Sequence, residues 1–297
     1  MGLAPSIHLE SWLGVTVVAA LVSTFGALLG ITLKDYFFSR SFERWKQRHS
    51  LELLYQKYRD PLFLSACELA SRISELLKLY PAIYLKQKVL DSQPIKQLHN
   101  SFDDPYFQRY KLVSTVYRFC AFFGWLELYR QETTYLHSGN SKHSRSLEQA
   151  VELIRADLAD GQINLADDWE RWRDRLVFRE EIRAIGESMI ETRGSTRTVM
   201  GYSRFVELFD SPNASPNKYW ISVMLNFLLD PTIKDDFRSV RLMRLLVHLV
   251  GLMKLLDVSS IDRDLVQSCK KWVNSTEELQ STVLKDLTAE LLRQAET

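Results

Sequence analysis

From Trp12 to Leu33 the chain runs 22 residues without a charge, and nothing else in it restricts so sharply what it can fold into. As a helix rising roughly 1.5 Å per residue this stretch spans about 33 Å, enough to cross a hydrocarbon core of about 30 Å. A helix is required there, because backbone polar groups find no water in lipid and must pair within the segment. Trp12 marks one end of the run, while Tyr36, Phe37 and Phe38 crowd the other, where amphipathic rings favour a membrane interface.

Flanking charge predicts the orientation. No Lys or Arg precedes the run, whereas Lys34, Arg40, Arg44, Lys46 and Arg48 follow it. The positive-inside rule then places residues 1–11 outside the cell membrane and the remainder of the chain in the cytoplasm. A cleaved signal peptide fits less well: there is no basic leader, the apolar run is too long, and no Ala-x-Ala occurs. Lys34, Arg40 and Arg44 would also meet anionic headgroups, each attracted by roughly 1 kcal/mol. With Trp12, Tyr36 and Phe37 they form the expected membrane-interface set. Within the run, Ala19, Ser23, Gly26 and Gly30 are spaced 4, 3 and 4 apart and share one helical face, ending in a GxxxG. Small residues on one stripe let a second helix approach closely, so self-association through this face is expected.

No Gly or Pro occurs between Gly30 and Pro61, so the helix is expected to continue as a stalk over 34–60 through Phe42, Trp45 and Leu53. Asp60-Pro61, Asp104-Pro105 and Asp230-Pro231 each read as a helix start, with Asp at the N-cap and Pro at the first helical position. Between them the apolar spacing is helical. Leu112, Val116, Phe119, Phe123 and Leu126 form one stripe; Phe178, Ile182, Ile185 and Met189 form another. Leu242, Leu245, Leu246, Leu249, Leu252 and Leu256 belong to a helix apolar on most sides, hence a central one. Ser146-x-x-Gln149 and Ser275-x-x-Glu278 look like capping boxes, the second opening an amphipathic helix through Leu291. Loops are expected at Asp91–Asp103, Ser138–Ser144, Gly194–Gly201 and Asp210–Asn217, and no substantial sheet. The predicted architecture is all-α: one transmembrane helix over 12–33, the stalk, and one cytoplasmic helical bundle over 61–297.

Chemistry is harder to find. A formal net charge of +1 argues against a nucleic-acid binder working through bulk positive charge. Cys67, Cys120 and Cys269 form no CxxC, and a sparse, odd set suits a reducing compartment with structural thiols. The histidines at 8, 49, 99, 137, 143 and 248 show no ligand spacing, so neither a metal nor a cofactor is expected. His248, inside an apolar helix, reads as a core residue with one hydrogen bond. GxxxxGK[ST], GxGxxG and GxSxG are all missing. What remains is a set of charges within apolar helices. Arg118 interrupts the run from Leu112, Glu127 and Arg130 follow at i,i+3, and Arg183 with Glu187 forms an i,i+4 pair beside Gly186, where another helix could pack closely. These five could form a polar network inside the bundle, or ordinary ion pairs of about 0.2–0.5 kcal/mol each.

Several strings carry a resemblance: "YRDPLFLSACELASR" (Tyr58–Arg72), "GWLELYRQE" (Gly124–Glu132), "RAIGESMIE" (Arg183–Glu191), "GYSRF" (Gly201–Phe205) and "LLD" (Leu255–Asp257). In that order they resemble an uncharacterised family of bacterial helical proteins of cyanobacterial and actinobacterial type. The family often shows Leu-Gln-Ser-Arg where this chain has Leu69-Ala70-Ser71-Arg72. The resemblance implies a helical domain and no particular activity. The expected function is therefore a single-pass membrane-anchored regulatory or scaffolding protein whose bundle binds a protein partner. A signalling or defence effector sensing a small ligand is the alternative, and an enzyme working from the charged set is the third reading.

Overall fold

The structure, a computed structural model, describes residues 9–91, 104–133, 142–159, 172–232 and 236–256. Outside them fall residues 92–103 and 138–141 of two expected loops, His8, His99, His137, Cys269, and the box at Ser275 with its expected helix through Leu291. The chain divides into two compact units, Met1–Leu53 and Leu54–Thr297.

The first unit belongs to α1 (Leu9–Lys78). Within it Gly14–Ile31 is apolar enough to cross a membrane, with a mean hydropathy of 2.1 and none of its residues buried. Thr24 does not oppose insertion, because its hydroxyl donates to the Ala20 carbonyl at 2.7 Å and is satisfied within the helix. Ala19, Ser23, Gly26 and Gly30 all stand exposed, and a Cβ built on Gly26 or Gly30 meets nothing within 4 Å. Further along, Phe42, Trp45 and His49 stack in succession on one face.

The second unit is the helical domain. It opens with residues 54–78 of α1, whose Tyr58, Leu62, Ala66, Leu69, Ile73 and Leu76 are buried at the spacing of one helical face. Pro61 therefore lies inside a helix and does not start one, contrary to the sequence expectation. A proline there forfeits one backbone bond, yet burying the stripe on both sides of it holds the helix together. Asp104-Pro105 behaves as expected: Asp104 caps α2 (Pro105–Thr133) by accepting from the Tyr106 N–H at 3.0 Å. Asp230-Pro231 starts nothing. Asp230 takes φ +48° just after the helix that ends at Leu228 and turns back, accepting from the Gln87 N–H at 3.3 Å while its own N–H donates to the Leu85 carbonyl at 2.7 Å.

α3 (Lys142–Ala159) begins four residues before Ser146, which thus sits inside the helix and not at its N-cap. α4 (Arg179–Ser188) follows an isolated turn at Arg173–Arg175; Glu181 at its third position accepts from the Phe178 N–H at 2.9 Å. The segment expected to be a loop at Gly194–Gly201 is instead half of an antiparallel hairpin, β1 (Ile190–Arg193) against β2 (Thr196–Val199). Gly194, at φ +62°, takes the first turn position, where a Cβ would be strained. α5 (Tyr202–Asp210) and α6 (Pro216–Leu228) shorten the expected loop after Asp210 to five residues. Ser215 caps α6 by accepting from the Lys218 N–H at 3.2 Å. α7 (Phe237–Leu256) is buried along nearly its whole length, as its composition implied. All five stripe residues of α2, Ile182 and Ile185 of α4, and Met189 just after α4 join it in one core.

Candidate functional site

Two glycines decide how closely α2 and α4 approach. A Cβ on Gly186 of α4 would lie 2.6 Å from the Phe123 carbonyl oxygen and 2.8 Å from Glu127 Cβ. A Cβ on Gly124 of α2 would lie 2.9 Å from Met189 Cβ, just past the end of α4. The expected close packing at Gly186 is thus observed, and it drives Glu127 into the interior at 4% exposure.

A buried carboxylate must be paired or it costs several kcal/mol. Glu127 is held three ways. Arg130 donates to both oxygens, at 2.8 and 2.5 Å, and the Gln131 amide donates to Oε1 at 2.7 Å. The Gln131 carbonyl in turn accepts a short hydrogen bond from Arg197 on β2, tying the hairpin to α2. Hydrogen bonding to Glu127 pushes the Arg130 guanidinium up from its ordinary value. Opposite, Arg155 of α3 is 7% exposed and pairs with Glu152 at 2.8 Å; Glu152 also takes Arg179 of α4 at 3.2 Å. Burial pushes Arg155 down, Glu152 opposes this, and the like charge of Arg183 adds to it.

Phe123, Leu126, Glu127, Arg130, Val151, Arg155, Ile182 and Arg183 line a cleft of about 20 Å³. That is room for one water, which needs about 10–15 Å³, and far below a metabolite pocket. Of the five residues expected to form the network, the structure joins Glu127 and Arg130 directly and sets Arg183 at the rim. Arg183 and Glu187 are both exposed and make no ion pair with each other; the Glu187 charge acts on Arg130 of α2 and the Arg183 charge on Arg155 of α3. Arg118 is elsewhere, donating to the Glu68 carbonyl of α1 at 3.3 Å, because it lies nine residues before Glu127 on another face of α2. Lys34 and Arg40 of the interface set are exposed. The side chains of Trp12, Tyr36, Phe37, Arg44 and His143 lie outside the described residues.

Other polar centres escaped the sequence reading. His248 has its single hydrogen bond, as expected, but the partner is the buried Asp157 of α3, with Nδ1 and Oδ2 2.6 Å apart. Burial pushes the Asp157 carboxyl up, with His248, Arg244 and Arg241 opposing. Asp236 caps α7 and holds Arg238, which is 2% exposed. Arg238 and Arg175 together donate to the carbonyls of Phe227, Leu229 and Asp230, closing the C-terminal end of α6. One signal was legible: Arg238, Arg241, Arg244 and His248 recur at helical spacing inside an otherwise apolar helix. Among the described residues no cluster of three His, Cys, Asp or Glu could hold a metal. The thiol of Cys120 is buried, and burial pushes it up.

Comparison with protein-family models, with curated proteins and with solved structures gives no match for this chain.

Proposed function

We propose that this is a single-pass protein of the cell membrane, with its short N-terminus outside and its helical domain in the cytoplasm, acting as a regulatory or scaffolding protein that binds a protein partner. The observation that carries the reading is the uncovered apolar helix. Val15, Val17, Val18, Leu21, Val22, Phe25, Leu28, Leu29 and Ile31 are all more than half exposed, and no residue of Gly14–Ile31 is buried. At about 1.5–3 kcal/mol per large apolar side chain, leaving them in water costs well over about 10 kcal/mol. A soluble domain does not tolerate that, whereas a bilayer removes it. The basic residues after the span, and their lack before it, support the orientation.

A protein partner is favoured over a metabolite because the charged cleft has room for no more than one water and its carboxylate is already bonded on both oxygens. The exposed face of Ala19, Ser23, Gly26 and Gly30 adds a surface on which a second helix could pack within the membrane. The test is fractionation of cells carrying the full chain, followed by protease treatment of intact cells. The chain is expected to sediment with membranes, to resist alkaline carbonate, to dissolve in detergent, and to keep its helical domain protected from external protease. Detergent-solubilised chain should then retain a stoichiometric protein. Recovery in the soluble fraction without detergent would overturn the anchor, and digestion of the domain in intact cells would overturn the orientation.

A further inference from the structure

Where residues 72–78 of α1 meet α2, the charges of three cations act around one buried tyrosine, Tyr84. Arg72 is 3% exposed, yet its Nε and Nη1 have no hydrogen-bond partner. Its Nη2 donates to Ser114 Oγ at 3.3 Å. The Tyr84 hydroxyl beside it is buried and feels the Arg72 guanidinium at close range, yet neither reaches the other with full hydrogen-bond geometry. Lys111 Nζ lies 6.0 Å from the Tyr84 ring centroid, and the Arg118 charge also acts on Tyr84. Among the described residues one carboxylate, Glu75, answers these charges, at 31% exposure. It takes Lys111 at 2.5 Å, and its other oxygen lies 3.5 Å from Arg72 Nη1, an ion-pair distance without hydrogen-bond geometry.

Buried guanidinium N–H groups in folded proteins almost always have an acceptor, because leaving one unmet forfeits its whole hydration. The orphaned atoms here are donors: two N–H groups of Arg72, and an O–H that burial keeps protonated by pushing the Tyr84 phenol up. An acceptor bearing negative charge satisfies both together and offsets the surplus of cations; a cation or an apolar group does neither. We propose that this corner binds a small oxyanion, such as a phosphate or a carboxylate, with Glu75 as the internal competitor that an arriving anion displaces from Lys111 and Arg72. All of these residues belong to the Leu54–Thr297 unit, so the inference does not depend on the membrane reading.

The test uses the full chain in detergent micelles. Its unfolding midpoint is followed while sodium phosphate, or sodium acetate, is titrated against sodium chloride of equal ionic strength. At least one oxyanion should stabilise the wild type saturably beyond chloride. Glu75→Gln removes the competing charge and should tighten the apparent Kd by about tenfold, whereas Tyr84→Phe removes a donor and should weaken it. Both variants preserve shape, so each is read as a change in anion dependence and not in basal stability. If neither anion exceeds chloride in the wild type or in Glu75→Gln, or if both variants leave the apparent Kd unchanged, the corner holds only ordered water and the proposal is overturned.

Discussion

Replacing Asp236 by Asn changes one oxygen to nitrogen, keeps the side-chain shape and removes a charge that the fold uses five times. Asp236 accepts from Arg238 N, Nε and Nη2 at 3.1, 2.8 and 2.7 Å, and from the Thr232 N–H and hydroxyl at 2.8 and 3.4 Å. Burial alone would push its carboxyl up, but these bonds outweigh burial and hold it at about 2, below the ordinary 3.8. At about 1.4 kcal/mol per pH unit, that difference is worth about 2 kcal/mol. Asn also strands the Arg238 guanidinium, which is 2% exposed, and breaking a buried pair by removing one partner costs about 3–5 kcal/mol. Because Arg238 keeps its three carbonyl acceptors on Phe227, Leu229 and Asp230, the lower end applies, and a loss of about 3 kcal/mol is expected at pH 7. The assay is urea unfolding of the full chain in detergent, followed by tryptophan fluorescence. Asp236 is depressed in the folded state, so its contribution is complete above about pH 4 and disappears as pH falls through about 2. The wild type should therefore lose about 2 kcal/mol over that window relative to Asp236→Asn. A cost at pH 7 below about 1 kcal/mol, or parallel acid profiles for the two proteins, would refute the reasoning.

Gly186→Ala places a methyl 2.6 Å from the Phe123 carbonyl oxygen, a backbone atom that cannot swing aside. Overpacking of this kind costs about 1–3 kcal/mol, so the urea midpoint should fall; an unchanged midpoint would mean α2 and α4 are not so close. Asp157 behaves oppositely to Asp236: burial raises its folded value, so its contribution is complete below about 3.8 and is lost as pH rises through that higher value. Asp157→Asn keeps a hydrogen-bonding group facing His248 Nδ1 while removing the titration. Stability at pH 7 should hold or increase, and the difference from wild type should shrink towards pH 4; a large loss at pH 7 would contradict this.

The charged cleft was half legible in the sequence. Glu127 and Arg130 pair one turn apart on a single helix, and the i,i+3 spacing that revealed them is the contact that forms. Gly186 was legible too, since a glycine on a helical face between apolar residues marks a close approach. The Arg183–Glu187 pair had the right spacing and did not form: both side chains are exposed, where such a pair gains too little to hold two long side chains in one geometry. The hairpin was missed although Gly194-Ser195 is a two-residue turn signal: its strands are only four residues each, too short to show alternation.

Local sequence alone determined the apolar span, the helical character of the domain, the cap at Asp104 and the centrality of α7, since each depends on side chains within about four residues of one another. The pairings between elements were decided only by the tertiary structure: His248 with Asp157, Arg72 with Ser114, Arg197 with Gln131, and Asp230 with the turn at Leu85–Gln87. The same kind of dipeptide begins a helix at Asp104, lies inside one at Asp60 and closes a turn at Asp230, because burial of the surrounding stripes outweighs one cap or one missing N–H. Helical periodicity says which face of a helix is buried but not which helix covers it, and in this chain the buried charges find their partners across those faces.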